Sequence, residues 1–341
     1  MIERTTPTDL MQLACDLPGS PMQVAAVLVL SDASALDITA VRDAIDLRIR
    51  AVPRLRQRLV RTSFGCGRPI WVDDPDFDIR DHVTAVPCPE PGDQAALLGV
   101  VAETVTQRLV RNRPLWSATL VTSLSGGRAA LIVMLHHVLA DGIGGLAVLA
   151  RLVDGVPTAP STDFPRPSPS RRAQFAEASA TRLRAFAHLP AGVRRLRTAV
   201  GELTAGGVAR PPRSSLNQPT GARRDLAVAR VDLADVQRAA HAHGAKVNDV
   251  VLTAVTGALR AVLRSRGESI DRFVVSVPIS ARREATAGRL GNQVGVMPVP
   301  VNVAGDLHQR LAAIAQTTRN RRPAAPTAST ALLGPAFRAI A

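Results

Sequence analysis

The chain has 341 residues, 46% hydrophobic and 21% charged, which suits about two globular domains and excludes a chain disordered throughout. With 42 Lys+Arg against 28 Asp+Glu the formal net charge is +14. Yet Lys246 is the only lysine, tyrosine is absent, and seven Phe and two Trp are few for stacking on bases, so the charge does not point to nucleic acid. Apolar runs such as Ala129–Leu135 fall far short of the roughly 18–20 residues of a membrane span. The start, MIERTTPTDL, lacks the apolar core of a secretory signal, and three cysteines (Cys15, Cys66, Cys88), none in a CxxC, fit a reducing cytoplasm.

In chain order, residues 24–30 (VAAVLVL) read as a buried strand. Asp37 is placed to cap a helix whose stripe is Ile38, Val41, Ile45, Ile49 and Val52, stopping near Pro53. A second helix starts at Asp93 and carries Leu97, Val101, Val105 and Leu109. A hairpin follows, with strands 117–123 and 129–135 about a Ser125-Gly126-Gly127 turn. A glycine-rich turn opens a helix at about 142–152. Five prolines between Pro157 and Pro169 mark a domain boundary. From Pro160 to Arg224 there are twelve arginines and three acids, so this segment holds a net +9 of the total +14. Within it Phe175, Leu183, Phe186, Val193, Leu196, Val200 and Leu203 recur at helical spacing, interrupted by Pro190. Such a basic amphipathic pair either docks on the protein as a linker or lies on an anionic membrane surface. A second Pro/Gly-rich patch covers 206–221. Helices are then predicted at Leu233–His243 and Asn248–Leu263, strands at 273–279 and 294–301, and a helix at Asp306–Thr318. No repeat is visible, and the irregular alternation predicts a mixed α/β fold.

The sharpest chemical feature is His136-His137-Val138-Leu139-Ala140-Asp141-Gly142, directly after an apolar strand and before a glycine-rich helix start. Neighbouring residues on extended backbone face opposite ways, so one histidine can face a cleft while the other packs. A neutral imidazole accepts a proton near pH 7. Alternatively, both histidines are hydrogen-bonded core residues. Asp141 is suited to fixing local geometry, and Gly142, Gly144 and Gly145 permit a tight turn. A metal site is not indicated: there is no HExxH and no third ligand nearby. Gly142–Ala147 matches G-x-G-x-x-A, but the acid-ended second strand of a dinucleotide fold is replaced by the proline-rich boundary. Neither a G-x-S-x-G elbow nor a GxxxxGK loop is present.

The His-His-x-x-x-Asp-Gly pattern resembles the active-site motif of CoA-dependent acyltransferases of the chloramphenicol acetyltransferase-like fold. More narrowly, the chain resembles the bacterial wax ester synthase/acyl-CoA:diacylglycerol acyltransferase family. Arg113-Pro114-Leu115-Trp116 is similar to its Pro-Leu-Trp block, Asn248-Asp249 to its Asn-Asp block, Val277–Arg282 to its Pro-x-Ser-x-Arg block and Gly291-Asn292 to its Gly-Asn block. Ser215-Leu216-Asn217 fits the end of its linker. Order and rough spacing agree from about Pro7 to Leu311.

The resemblance implies a two-lobed fold with lobes 1–159 and 225–341 joined by a basic linker, 160–224. It implies an O-acyltransferase taking acyl-CoA as substrate, without cofactor or metal, and a diacylglycerol or fatty alcohol acceptor. His137 is then the general base and His136 its neighbour. Asp141 is structural, paired with Arg282, or Arg283 takes that structural role instead. Asn248 and Asp249 either cap the following helix or brace the active site. Pro114, Leu115 and Trp116 are packing residues, and Asn292 turns the chain or helps hold the thioester oxygen. The resemblance also implies a peripheral position on membranes or lipid droplets. Members of the family normally continue past the end of this chain, where no closing strand is readable, so the second lobe is expected to be incomplete. Two other readings follow: a non-catalytic or split fragment that binds lipid or a partner, and a condensation-type acyltransferase with another acceptor.

Overall fold

A computed structural model describes residues 2–17, 19–33, 36–140, 142–152, 163–187, 212–280 and 294–321. The first helix, α1 (Pro7–Cys15), begins at a capping box: the Thr6 hydroxyl accepts from Asp9 N–H at 3.1 Å, and the Asp9 carboxylate accepts from Thr6 N–H at 2.7 Å. Strand β1 (Gln23–Leu30) follows, then α2 (Ile38–Ile49), where the Asp37 carboxylate accepts from Ala40 N–H as expected. The spacing of Val41, Ile45 and Ile49 buries one face of α2, and Val52 continues it beyond the helix end.

Two short strands, β2 (Gln57–Val60) and β3 (Ile70–Asp73), form an antiparallel pair. Then come β4 (Val83–Pro87), α3 (Gln94–Thr106), β5 (Trp116–Leu124) and β6 (Arg128–His136). Asp93 caps α3 by accepting from Ala96 N–H. The helix ends earlier than its apolar spacing suggests. Leu109 lies beyond it and packs with the α2 core, its N–H donating to Gln23 Oε1 at 2.9 Å.

The sheet runs β1-β6-β5-β4, antiparallel except for the β4–β5 pair. β6 is interior, and it is covered on both faces. Ala129, Val133 and Leu135 join a core with α2, Leu55, Trp71 and Val148, whereas Ala130 and Ile132 meet Leu97 and Val101 of α3. That explains why β6 reads as a continuous apolar run rather than an alternating one. Near the turn β5 bulges at Ser123, which adopts φ 61°. Gly92 backs onto that bulge at φ +70°, where a Cβ would sit 2.6 Å from the Ser123 carbonyl oxygen.

After α4 (Gly142–Arg151), the basic segment appears as α5 (Arg171–Ala187), docked on the β2–β3 turn. The docking is polar. Arg4 donates to the carbonyls of Cys66, Arg68 and Gln174, and Arg182 to that of Gly65. Ala178 is buried, while Phe175 and Leu183 of the predicted apolar stripe remain 54% and 70% exposed. Just before it, Arg166 clamps the buried Asp73 with its guanidinium and its backbone N–H. Burial opposes the Asp73 charge, but these bonds and that from Gln57 overcome it and hold the carboxyl at about 2. The Pro190 break, the second linker helix and residues 206–211 of the Pro/Gly patch lie outside the described residues.

The C-terminal elements are α6 (Leu233–Ala242), α7 (Val247–Ser265), β7 (Arg272–Ser280), β8 (Val294–Asn302) and α8 (Leu307–Arg321). β7 and β8 pair antiparallel, with Val277, Val299 and Val301 packing against Leu252 of α7 and Ile314 of α8. The short turn Ser215–Asn217 attaches here, Ser215 N–H donating to Glu268 Oε2 at 2.9 Å.

Candidate active site

His136 is the last residue of β6, paired with Gln23 of β1, and its N–H donates to the Leu115 carbonyl at 2.9 Å. The strand ends there because the chain turns at once: Leu139 N–H returns to the His136 carbonyl at 2.9 Å. His136 is buried. Its Nδ1 accepts from Val138 N–H at 3.0 Å, which leaves the ring proton on Nε2. His137 is half-buried, and its N–H donates to the Met22 carbonyl at 2.8 Å. The two rings thus differ in exposure, although His137 begins a turn instead of extending the strand.

The group that faces His136 stands outside every motif of the sequence. Asp16, its side chain 5% exposed, places Oδ2 at 3.5 Å from His136 Nε2. The same carboxylate accepts from Met22 N–H at 3.0 Å, from Arg108 at 3.0 Å and from Arg111. Burial disfavours the Asp16 charge, but these donors prevail and hold its carboxyl well below the usual carboxylate range. His136 is shifted down by burial, with Asp16 opposing and Arg111 and His137 adding to the shift. No sequence pattern signals this cluster. Asp16 is a lone acid after α1, and only the β1–β6 pairing brings its loop to the histidines.

Gln23 locks the same corner. Its Nε2 donates to the carbonyls of Val105 and Gln107 at 3.2 and 2.9 Å, holding the segment that carries Arg108 and Arg111. Beside it a groove of about 980 Å³ runs between α1, β2 and residues 111–115. Leu10, Leu13, Leu59 and Leu115 give it apolar walls, and Arg58, Arg61 and Arg111 line it as well.

Pro114, Leu115 and Trp116 adjoin the histidines and are all buried. Trp116 donates its indole N–H to the Leu55 carbonyl at 2.7 Å and stacks on His82, ring centroids 4.7 Å apart. His82 stacks in turn on Phe77 and bonds the Trp116 carbonyl through Nδ1 at 2.9 Å. Gly142 begins α4, while Asp141, Arg282, Arg283 and Asn292 lie outside the described residues. Gly145 has open space at its Cβ position, so packing does not require glycine there.

Asn248 and Asp249 are not N-caps. The cap position is Lys246, and the helix starts one residue earlier than the spacing suggested. Asn248 is exposed. Asp249 is buried at the third helical position, where Oδ2 accepts from Lys246 N–H at 2.9 Å and Oδ1 from the Thr318 hydroxyl at 2.8 Å. Its side-chain bonds join α7 to α8. Among the described residues no three His, Cys, Asp or Glu side chains are grouped to hold a metal ion. No helix of those residues is long and apolar enough to cross a membrane.

Residues 5–251 match the family described as wax ester synthase/diacylglycerol acyltransferase catalytic domain. The tgs1 protein of Mycobacterium tuberculosis strain H37Rv, named a probable diacylglycerol O-acyltransferase, is 34% identical over 278 residues, covering 79% of this chain and 60% of that protein. A protein of Mycobacterium bovis with a diacylglycerol O-acyltransferase name matches with the same figures. The chain thus spans about 60% of the length of these curated relatives. Among solved structures, the wax ester synthase/diacylglycerol acyltransferase of Marinobacter aquaeolei VT8 superimposes with a TM-score of 0.65 at 24% identity, over 98% of this chain and 76% of that one. The first condensation domain of the calcium-dependent antibiotic synthetase gives 0.64 at 20% identity, over 94% and 75%. These likenesses establish a mixed α/β fold shared with wax ester synthase and condensation-domain structures.

Proposed function

Because the chain belongs to the wax ester synthase/diacylglycerol acyltransferase family, we propose that it transfers an acyl group from acyl-CoA to the hydroxyl of a diacylglycerol or long-chain alcohol, with His137 as general base. The observation that carries this reading is the arrangement at the end of β6. One histidine is buried and tautomerically fixed, and the next is half-buried on a backbone pinned to Met22. In the reaction, a neutral His137 ring takes the acceptor hydroxyl proton as the oxygen attacks the thioester carbonyl. The C–S bond then breaks, and the proton passes from His137 to the CoA thiolate. No acyl-enzyme and no cofactor are needed. Positioned proton transfer of this kind supplies about 10²–10⁴-fold in rate, and holding two large substrates together adds to it.

We keep Asp141 as a structural residue paired with Arg282, Asn292 beside the thioester oxygen, and the division into lobes 1–159 and 225–341 about the linker. The polar docking of α5 supports treating the linker's first part as an extension of the N-terminal lobe. The exposed Phe175 and Leu183 on a basic helix support a peripheral position on a lipid surface. Liposome flotation at low and high salt tests that position, and no binding to anionic vesicles at low salt ends it.

The test of the reaction is esterification of both acceptors with labelled acyl-CoA, comparing the wild type with His137→Ala. Ester formation abolished in the variant is expected. Equal turnover by the two proteins removes His137 as the base.

A further inference from the structure

We propose that Asp16 is a positioning residue for the histidine pair, one carboxylate that orients the His136 ring and, through Met22, sets the backbone of His137. The proposal rests on the reading of His137 as general base. Asp16 Oδ1 accepts from Met22 N–H at 3.0 Å, and the Met22 carbonyl accepts from His137 N–H at 2.8 Å. The same residue that bonds the carboxylate therefore holds the main chain of the base. Asp16 Oδ2 faces His136 Nε2 at 3.5 Å, and Val138 N–H at Nδ1 directs the ring proton to that side.

Charge points the same way. His136 is faced by Asp16, by Arg111 and by His137, and Arg108 and Arg111 both pair with the carboxylate oxygen that faces it. Asp16 is the anion in that set. Removing it leaves Arg108 and Arg111 uncompensated beside the histidines and frees the Met22 turn. A buried carboxylate that accepts from three separate donors is held in one geometry, and a positioning group must itself be fixed in place.

The experiment combines two readouts on the full chain: steady-state kinetics with acyl-CoA and a diacylglycerol or fatty alcohol, and ¹⁵N spectra of the histidine rings, His136 being assigned with His136→Gln. In the wild type the His136 signals should be those of the Nε2–H tautomer. In Asp16→Ala the Nε2 and Nε2–H resonances should shift, because that proton no longer faces a carboxylate, and kcat should fall about 100-fold with KM within about threefold, as expected for a misplaced reacting group. Asp16→Glu, which restores a carboxylate, should recover kcat to within about tenfold of the wild type. Asp16→Asn preserves shape and an acceptor for Met22, so it reports the loss of charge should the alanine variant fold poorly. An unchanged His136 signature in both Asp16→Ala and Asp16→Asn, or unchanged kcat in Asp16→Ala, overturns the proposal. A wild type without turnover, or a His137→Ala variant as active as wild type, defeats the functional reading instead, and the spectra still judge Asp16.

Discussion

Trp116→Phe separates packing from substrate contact in the Pro-Leu-Trp block. The indole is 2% exposed, donates to the Leu55 carbonyl at 2.7 Å and stacks on His82. Phenylalanine keeps part of the stacking but removes the donor, leaving a buried carbonyl unpaired at about 1–3 kcal/mol. The void left by the missing ring adds about 1 kcal/mol. The expected loss is therefore about 2–4 kcal/mol, a large share of the roughly 5–15 kcal/mol that stabilises a domain. Urea unfolding followed by far-UV circular dichroism measures it, with the midpoint shift converted through the denaturant slope. Below the transition, KM for either substrate should stay within about twofold, because the ring faces Leu55 and His82. A stability change under about 1 kcal/mol refutes the energetic reasoning. Unchanged stability with a raised KM assigns the ring to substrate instead.

Three further outcomes are expected. In a double-mutant cycle, Asp249→Ala and Thr318→Val should couple by about 1 kcal/mol, with Asp249→Ala the larger single loss because it also gives up the Lys246 cap; strict additivity rejects the α7–α8 brace. Gly92→Ala, at φ +70° with backbone atoms of Ser123 and Ser125 within 2.9 Å of the new Cβ, should destabilise by about 1–3 kcal/mol, and an unchanged melting temperature contradicts it. His82 and His136 are both held below the ordinary histidine value of about 6.5, chiefly by burial, so the unfolded chain binds their protons more readily. Stability is then full above about pH 6.5 and declines as pH falls below it. Urea midpoints at pH 7.5 and 5.5 check this, and equal midpoints count against it.

Local patterns carried much of the fold. Asp37 and Asp93 cap the helices their side chains advertised, and the Ser125-Gly126-Gly127 turn joins the expected hairpin. The strands missed by the sequence reading are those whose pairing is set elsewhere. β2 and β3 are four residues each and carry Arg58 and Asp73, and β4 gains its place by lying parallel to β5. α1 went unread as well, because Thr6-x-x-Asp9 carries Asp where the capping-box signature has Glu or Gln. At the site, the histidines were legible as neighbours in sequence, whereas Asp16 lies 120 positions from His136 and its role depends on a sheet register that no periodicity announces.

That register has a consequence for biosynthesis. β1 is among the first apolar segments to leave the ribosome, yet its strand partner among the described residues, β6, starts at Arg128. At about 5–20 residues per second, the nascent VAAVLVL segment waits on the order of 5–20 s with its backbone unpaired. Arg4 waits longer still, for the Gln174 carbonyl on α5. During that interval the chain offers an uncovered, uncharged, β-branched strand, the kind of template that nucleates association between nascent copies. Demand for chaperones during production should therefore fall sharply when β1 is given a charged residue on its exposed side, for example Val29→Lys, at a position already 53% exposed in the finished fold.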